Sequence, residues 1–177
     1  TCAGPIIDAS GLVGTAPFAA GRPRSPLVTR DFLERHAAAR PFVAGEVVVL
    51  FSGHTQKHLA PLPAAPAVEP CSAGPLSGTS EGWPALAADA VAYLAGRGVR
   101  CVATDAPTLG GVDPEVARET DWMAGSKVLF VVEMLTGVEA IAGREAFFIF
   151  APIKIAGTRG GYGRALALVK AAQGGEP

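Results

Sequence analysis

Apolar residues fall along this chain in two rhythms, and the alternation between them outlines the fold. Short runs of consecutive apolar residues, several of them β-branched, predict strands over residues 5–10, 46–51, 99–104, 127–132, 147–155 and 164–169. The run Val47–Phe51 has no polar interruption, which suits a strand buried on both faces, and Val128–Val132 has the same interior character. Between the strands, three-and-four spacing predicts helices. Thr29 suits an N-cap with Asp31 in the first turn, and Pro41 stops that helix near Arg40. Pro84 suits the first position of a second helix, where Leu86, Ala87, Ala90, Val91 and Leu94 share one face as far as Gly96 and Gly98. Asp113-Pro114-Glu115 opens a third helix to about Met123, and Thr136-Gly137-Val138-Glu139 spells a capping box for a short fourth. The proline-rich stretch 60–84 has no apolar period and is expected to be a loop on the surface or over a pocket. The glycine-rich stretch 156–163 separates the last two strands. Strands alternating with helices give an α/β fold, read as one domain over residues 1–177 without internal repeats.

Composition narrows the classes of function. The 177 residues are 49% hydrophobic and carry a net charge of −1. That is enough apolar material for one full core, and too little positive charge to attract nucleic acid or an anionic membrane surface. A small neutral or anionic ligand fits better. Glu133 interrupts the longest apolar stretch, residues 128–141, so no membrane span is expected. Cys2, Cys71 and Cys101 are odd in number and widely spaced, which indicates neither a disulfide framework nor a zinc ribbon and fits a reducing cytoplasm. The chain opens on Thr1 and lacks the pattern of a secretory signal, so the sequence is expected to begin after a cut.

Few residues can carry chemistry. His36 lies among alanines in the first helix and suits a packing or surface role. His54 and His58 stand at i and i+4 just after a buried strand, where one helical turn could hold a metal ion; solvated histidines in a polar loop are the alternative. Thr55 stands where a metalloprotease motif needs Glu. The stretch 157–163 lacks a phosphate-loop ending and precedes a strand, so it is a glycine turn in which Arg159 could neutralise a substrate carboxylate. Glu133 ends an apolar run, where a carboxylate is costly unless paired, protonated or coordinated. Asp121, twelve positions upstream, could reach the same pocket. Pairing of Glu133 with an arginine, leaving Asp121 solvated, is the competing reading.

Four segments in order resemble the cyclase family that contains bacterial kynurenine formamidase and isatin hydrolase. They are residues 82–109, with Arg97-Gly98-Val99 and Asp105-Ala106-Pro107-Thr108-Leu109; residues 131–138, with Glu133-Met134-Leu135-Thr136; residues 148–157, with Ala151-Pro152-Ile153-Lys154-Ile155; and the closing 163–168. The resemblance implies a swivelling β/β/α-type fold and metal-dependent hydrolysis of a small cyclic or acyl amide, or of a lactone. A divalent ion, Mn or Zn, would there lower the pKa of bound water towards ~7. The family's late Glu ligand matches Glu133, while its late His ligand is replaced by Asp121, a change towards harder ions.

The family's first metal motif, H-x-G-T-H-x-D-x-P, is spelled nowhere in this chain. His54-Thr55-Gln56-Lys57-His58 has the two-histidine spacing, but Ala60 stands at the Asp position. Two carboxylates fall short of the about three protein ligands of a working site. Three explanations follow: a composite enzyme whose missing segment comes from a companion chain; a metal-free relative using Asp121, Glu133 and His54 as acid and base; or a non-catalytic scaffold for another subunit. The leading expectation is a hydrolase or cyclase acting on a small cyclic amide, lactone or polyketide-like metabolite. Its candidate catalytic residues are Glu133, Asp121 and His54, with Glu133 and Asp121 as metal ligands and His58, Arg159 and Trp83 as substrate contacts. A chain short of its family's first strands should expose an apolar edge that a further copy or a companion chain covers.

Overall fold

The computed structural model describes residues 2–16, 21, 24–59, 71–158 and 160–170. Among these, the chain runs β1 (Cys2–Asp8), a 3-10 turn (Ser10–Leu12), β2 (Leu27–Val28), α1 (Arg30–Ala39), β3 (Val47–Phe51), α2 (His54–His58), α3 (Ala73–Ser77), β4 (Ala85–Leu86) and α4 (Ala88–Gly96). It continues through β5 (Cys101–Thr104), α5 (Pro114–Ser126), β6 (Phe130–Val132), a second 3-10 turn (Val138–Ile141), β7 (Glu145–Pro152) and β8 (Gly163–Val169). Six strands form one mixed sheet in the order β6-β5-β3-β1-β7-β8. The first four are parallel, while β7 and β8 make an antiparallel hairpin on the β1 edge. The short pair β2 and β4 is parallel and separate.

The uninterrupted run predicted for an interior strand is β3, whose five residues are all buried between β1 and β5. Gly4 allows β1 to approach it: a Cβ there would lie 1.7 Å from the Val47 carbonyl oxygen. Thr29 caps α1 by accepting from the Phe32 N–H at 3.3 Å. Asp113 caps α5 by accepting from the Glu115 and Val116 N–H groups at 3.0 and 3.3 Å. At the end of α1, the Arg40 guanidinium pairs with buried Glu46 and with Glu145, joining the helix layer to β3 and β7.

The two faces of the sheet are covered differently. Ile7, Val48, Leu50 and Val102 point into the helix layer and meet Leu33, Leu86, Val91 and Leu94 in a closed core. Ile6, Val47, Val49, Ala103 and Phe148 point to the other side, where the segment carrying Leu135 and Val138 lies against them. Beside that segment an apolar cavity of about 270 Å³ remains, bounded by Gly4, Val49, Leu135, Phe148, Ala165 and Ala167.

Several sequence expectations change. Pro84 does not open a helix: Ala85 and Leu86 pair with Leu27 and Val28 as a short parallel ribbon, and α4 begins at Ala88. That pairing buries Leu86 and supplies backbone partners that a helical turn would forfeit. The run 127–132 is not interior. Only Phe130–Val132 is a strand, and it lies at the sheet edge with Phe130 72% exposed. Helix α5 continues to Ser126, past the expected Met123. The Thr136 segment forms a 3-10 turn entered through Gly137 at φ +77°, without a side-chain cap. Within the proline-rich stretch, Ala73–Ser77 forms one helical turn, while residues 60–70 and Arg159 lie outside the described residues.

Candidate functional site at the carboxyl edge of the parallel strands

Because β1, β3, β5 and β6 are parallel, their carboxyl ends open on one edge of the sheet, where open α/β sheets bind ligands. Each strand leads directly to a polar residue there: Asp8, Ser52, Asp105 and Glu133. An apolar run that ends on a polar side chain is thus a repeated device in this chain.

Glu133 is solvent-accessible as a residue, yet its carboxylate enters a partly buried contact: Oε1 accepts the Leu109 N–H at 2.9 Å. Burial is the largest influence on it and raises its pKa above the ordinary carboxylate value; the Leu109 N–H opposes this, and the nearby Asp121 charge adds to it. Asp121, on the exposed side of α5, is likewise raised by burial. The tertiary structure therefore brings the two acids within electrostatic reach. Among the described residues the ion pairs involve Arg24, Arg30 and Arg40, so Glu133 is not held by an arginine there.

The backbone around Glu133 is held by strand-end hydrogen bonds. Met134 N–H donates to the Ala106 carbonyl at 3.0 Å and Leu135 N–H to the Thr104 carbonyl at 3.1 Å. Met134 takes φ +59°, a left-handed conformation uncommon outside glycine, so the residue after the candidate base is strained. The Thr55 hydroxyl donates to the Leu135 carbonyl at 2.8 Å, anchoring α2 to the same segment.

His54 is buried at 6% exposure, which removes the solvated-loop reading for it. Its ring lies 4.5 Å from that of His58 and 5.1 Å edge-on from that of Trp83. Burial first, and the His58 charge next, lower its pKa to about 4, so the imidazole is neutral at physiological pH. Trp83 is itself buried and donates from Nε1 to the Thr108 carbonyl at 3.0 Å, one residue before the Leu109 that holds Glu133. His54, His58 and Trp83 thus form one aromatic cluster. Its connection to the acid pair runs through the backbone of 108–109 and 135.

Sequence reasoning passed over Asp105 and Ser52. Asp105 is wholly buried, and its Oδ1 accepts the Ser52 N–H at 2.6 Å, clamping the ends of β3 and β5 together. The Ser52 hydroxyl accepts the His54 N–H at 3.2 Å, extending the clamp to α2. The signal that singled out Glu133, a carboxylate closing an apolar strand, applies equally to Asp105. His36 packs against Phe42 with ring centroids 5.9 Å apart, the packing role expected of it. The glycine-rich stretch is the β7–β8 hairpin turn, closed by the Ile153 N–H donating to the Tyr162 carbonyl at 2.8 Å. The apolar cavity lies over the sheet face opposite the helices and has none of Asp121, Glu133, His54 or Trp83 in its wall.

Among the described residues, no three side chains of His, Cys, Asp or Glu converge as a metal-binding group. Glu133 and Asp121 offer two carboxylates where a catalytic divalent site uses about three protein ligands and an open position. The described donors do not by themselves fit such an ion. No helix among the described residues is long and apolar enough to cross a membrane.

No family model matches this sequence, and no curated protein matches it. Solved structures do. Isatin hydrolase A from Ralstonia solanacearum superposes with a TM-score of 0.70 at 23% identity, covering 96% of this chain and 60% of that one. An isatin hydrolase bound to the product analogue thioisatinate gives 0.66 at 20% identity, with 96% and 60% covered. A potential metal-dependent hydrolase with cyclase activity gives 0.61 at 18% identity, with 97% and 66% covered. The chain spans about two thirds or less of the length of these structures. A mixed sheet backed by helices, matched over nearly its whole length here, gives this chain the fold of the cyclase and isatin hydrolase structures.

Proposed function

We propose that the chain is the core of a hydrolase or cyclase acting on a small cyclic amide, lactone or polyketide-like metabolite. The observation that carries this is Glu133 at the carboxyl edge of the parallel strands, its Oε1 accepting the Leu109 N–H and its pKa raised by burial, with the Asp121 charge adding to that rise and Asp121 itself raised by burial. A carboxylate with raised pKa is a stronger base, and a neighbouring acid whose pKa is also raised keeps its proton longer. In hydrolysis, Glu133 takes a proton from water as the water oxygen attacks the carbonyl carbon. The bond to the leaving nitrogen or oxygen then breaks, and Asp121 in its protonated form supplies the proton that atom needs. In a cyclisation the same base takes the proton from the attacking group of the substrate.

Matched structures described as metal-dependent hydrolases favour a version in which Mn or Zn assists. Glu133 and Asp121 would then be ligands, and the further donors would come from a companion segment or chain. The sheet face that the turn carrying Leu135 and Val138 covers only in part, with its apolar cavity, is a suitable seat for that segment. His54, His58 and Trp83 would form the wall facing the substrate, and Arg159 would meet an anionic group of it.

The test pairs purification with substitution. Elemental analysis and mass spectrometry of the native complex report metal and companion, and a panel of cyclic amides and lactones reports activity. Glu133→Gln keeps an acceptor for the Leu109 N–H while removing the base, so hydrolysis or cyclisation should fall by about 100-fold or more with the fold intact. Full activity in this variant overturns the assignment. Inactivity of the wild-type complex across the panel leaves a binding or scaffold subunit as the better reading.

A further inference from the structure

We infer that His54 and His58 form a binding site for one first-row divalent cation of tetragonal preference, Ni(II) or Cu(II), whose donors are separate from the Glu133 and Asp121 carboxylates. The two histidines stand at i and i+4 on α2, so their side chains leave the same face of a single turn. Their ring centroids are 4.5 Å apart and the ring planes are tilted by 35°. An imidazole-bound ion lies about 2.1 Å from its nitrogen, and hence about 3.2 Å from the ring centre. Two such arms meeting at about 90° place the ring centres about 4.5 Å apart, whereas the tetrahedral angle that zinc prefers places them about 5.2 Å apart. The observed separation therefore fits a cis pair on a square-planar or octahedral ion, with water in the remaining positions.

A second observation points to a ligand. His54 is 6% exposed, and its Nε2 is buried without a hydrogen-bond partner among the described residues. A buried nitrogen left unpaired has given up its hydration without compensation, which an ion at Nε2 would supply. The Cys71 backbone hydrogen-bonds the same ring. With Nε2 unpartnered, that contact falls to Nδ1, so the Nε2 lone pair is the one left for a metal. The turn is also held in place before any ion arrives. Gly53 at φ +76° swings the chain from β3 into α2, the Ser52 hydroxyl accepts the His54 N–H at 3.2 Å, and the Thr55 hydroxyl donates to the Leu135 carbonyl at 2.8 Å. Two imidazoles without a carboxylate select against Mg(II) and Mn(II) and for the later first-row ions.

Trp83 supplies the readout. Its ring lies 5.1 Å from that of His54, and the other tryptophan, Trp122, is 70% exposed and can be replaced by Trp122→Phe. Ni(II) added to the full chain carrying W122F should quench Trp83 fluorescence saturably, with Kd in the micromolar range. His58→Ala in that background should raise Kd by about tenfold or more, and His54→Gln should do the same where circular dichroism shows that it folds. Glu133→Gln should leave Kd within about threefold, because its carboxylate is not a donor here. Zn(II) should bind more weakly than Ni(II), and Mg(II) should not quench. No substrate enters the measurement, so its failure is separate from failure of the enzymatic reading. Quenching indifferent to His58→Ala means an adventitious ion only. That result, an absence of saturable quenching, tighter binding of Zn(II) than of Ni(II), or loss of binding in Glu133→Gln overturns the proposal.

Discussion

The two faces of the central sheet are made from the same strands, yet they end in different states. On the helix side, Leu33, Leu86, Val91, Leu94 and Val102 are wholly buried. On the other side, Gly4, Ala165 and Ala167 contribute small side chains or none, and a turn carrying Leu135 and Val138 leaves a cavity behind. An amphipathic helix brings its own apolar stripe and closes a face by itself, whereas a segment with one short 3-10 turn covers only the strands beneath it. The closed face stabilises the domain. The open face is where the proposed companion segment would add stability, and the carboxyl edge between the two holds the proposed site.

The sharpest way to break this comparison is to remove equivalent apolar bulk from each face. Val91→Ala on the closed face should cost about 3 kcal/mol, while Val138→Ala beside the existing cavity should cost about 1 kcal/mol. Equal losses in urea unfolding would mean that the faces are equally closed. Arg40→Ala tests the brace between the layers. It leaves Glu46, 7% exposed, with only the Val43 N–H at 2.8 Å, and should cost about 3 kcal/mol.

The edge has its own signature in pH. His54 is near 4 in the folded chain and close to 6.5 when unfolded, so below about pH 6.5 the unfolded state binds the extra proton. Stability should therefore fall as pH drops from about 6.5 to about 4, by up to about 3 kcal/mol from this residue. His36 and His58, also lowered mainly by burial, push the same way. His54→Phe should remove the largest share of that slope, and an unchanged slope would show that His54 is not the buried neutral group described here. The smallest effect is a gain. Ala167→Val, filling the cavity, should leave stability unchanged or raise it by up to about 1 kcal/mol, whereas Ala90→Val in the closed core should lower it by about 2 kcal/mol.

The sequence by itself determined the order of elements, because the signals for them are local. Thr29 and Asp113 mark helix starts through hydrogen bonds to N–H groups within three residues, and Val47–Phe51 is interior because nothing in it tolerates water. Glu133 was legible for a similar reason, as a carboxylate closing an apolar run. Tertiary structure alone decided that Phe130–Val132 is an edge, that Ala85–Leu86 pairs with Leu27–Val28, that His54 is buried beside Trp83, and that the Asp121 charge is felt at Glu133. Each of these depends on which distant segment lies alongside. Strand pairing and helix docking are contacts across tens of residues, and a period of two or of 3.6 reports which face is apolar without saying what will cover it.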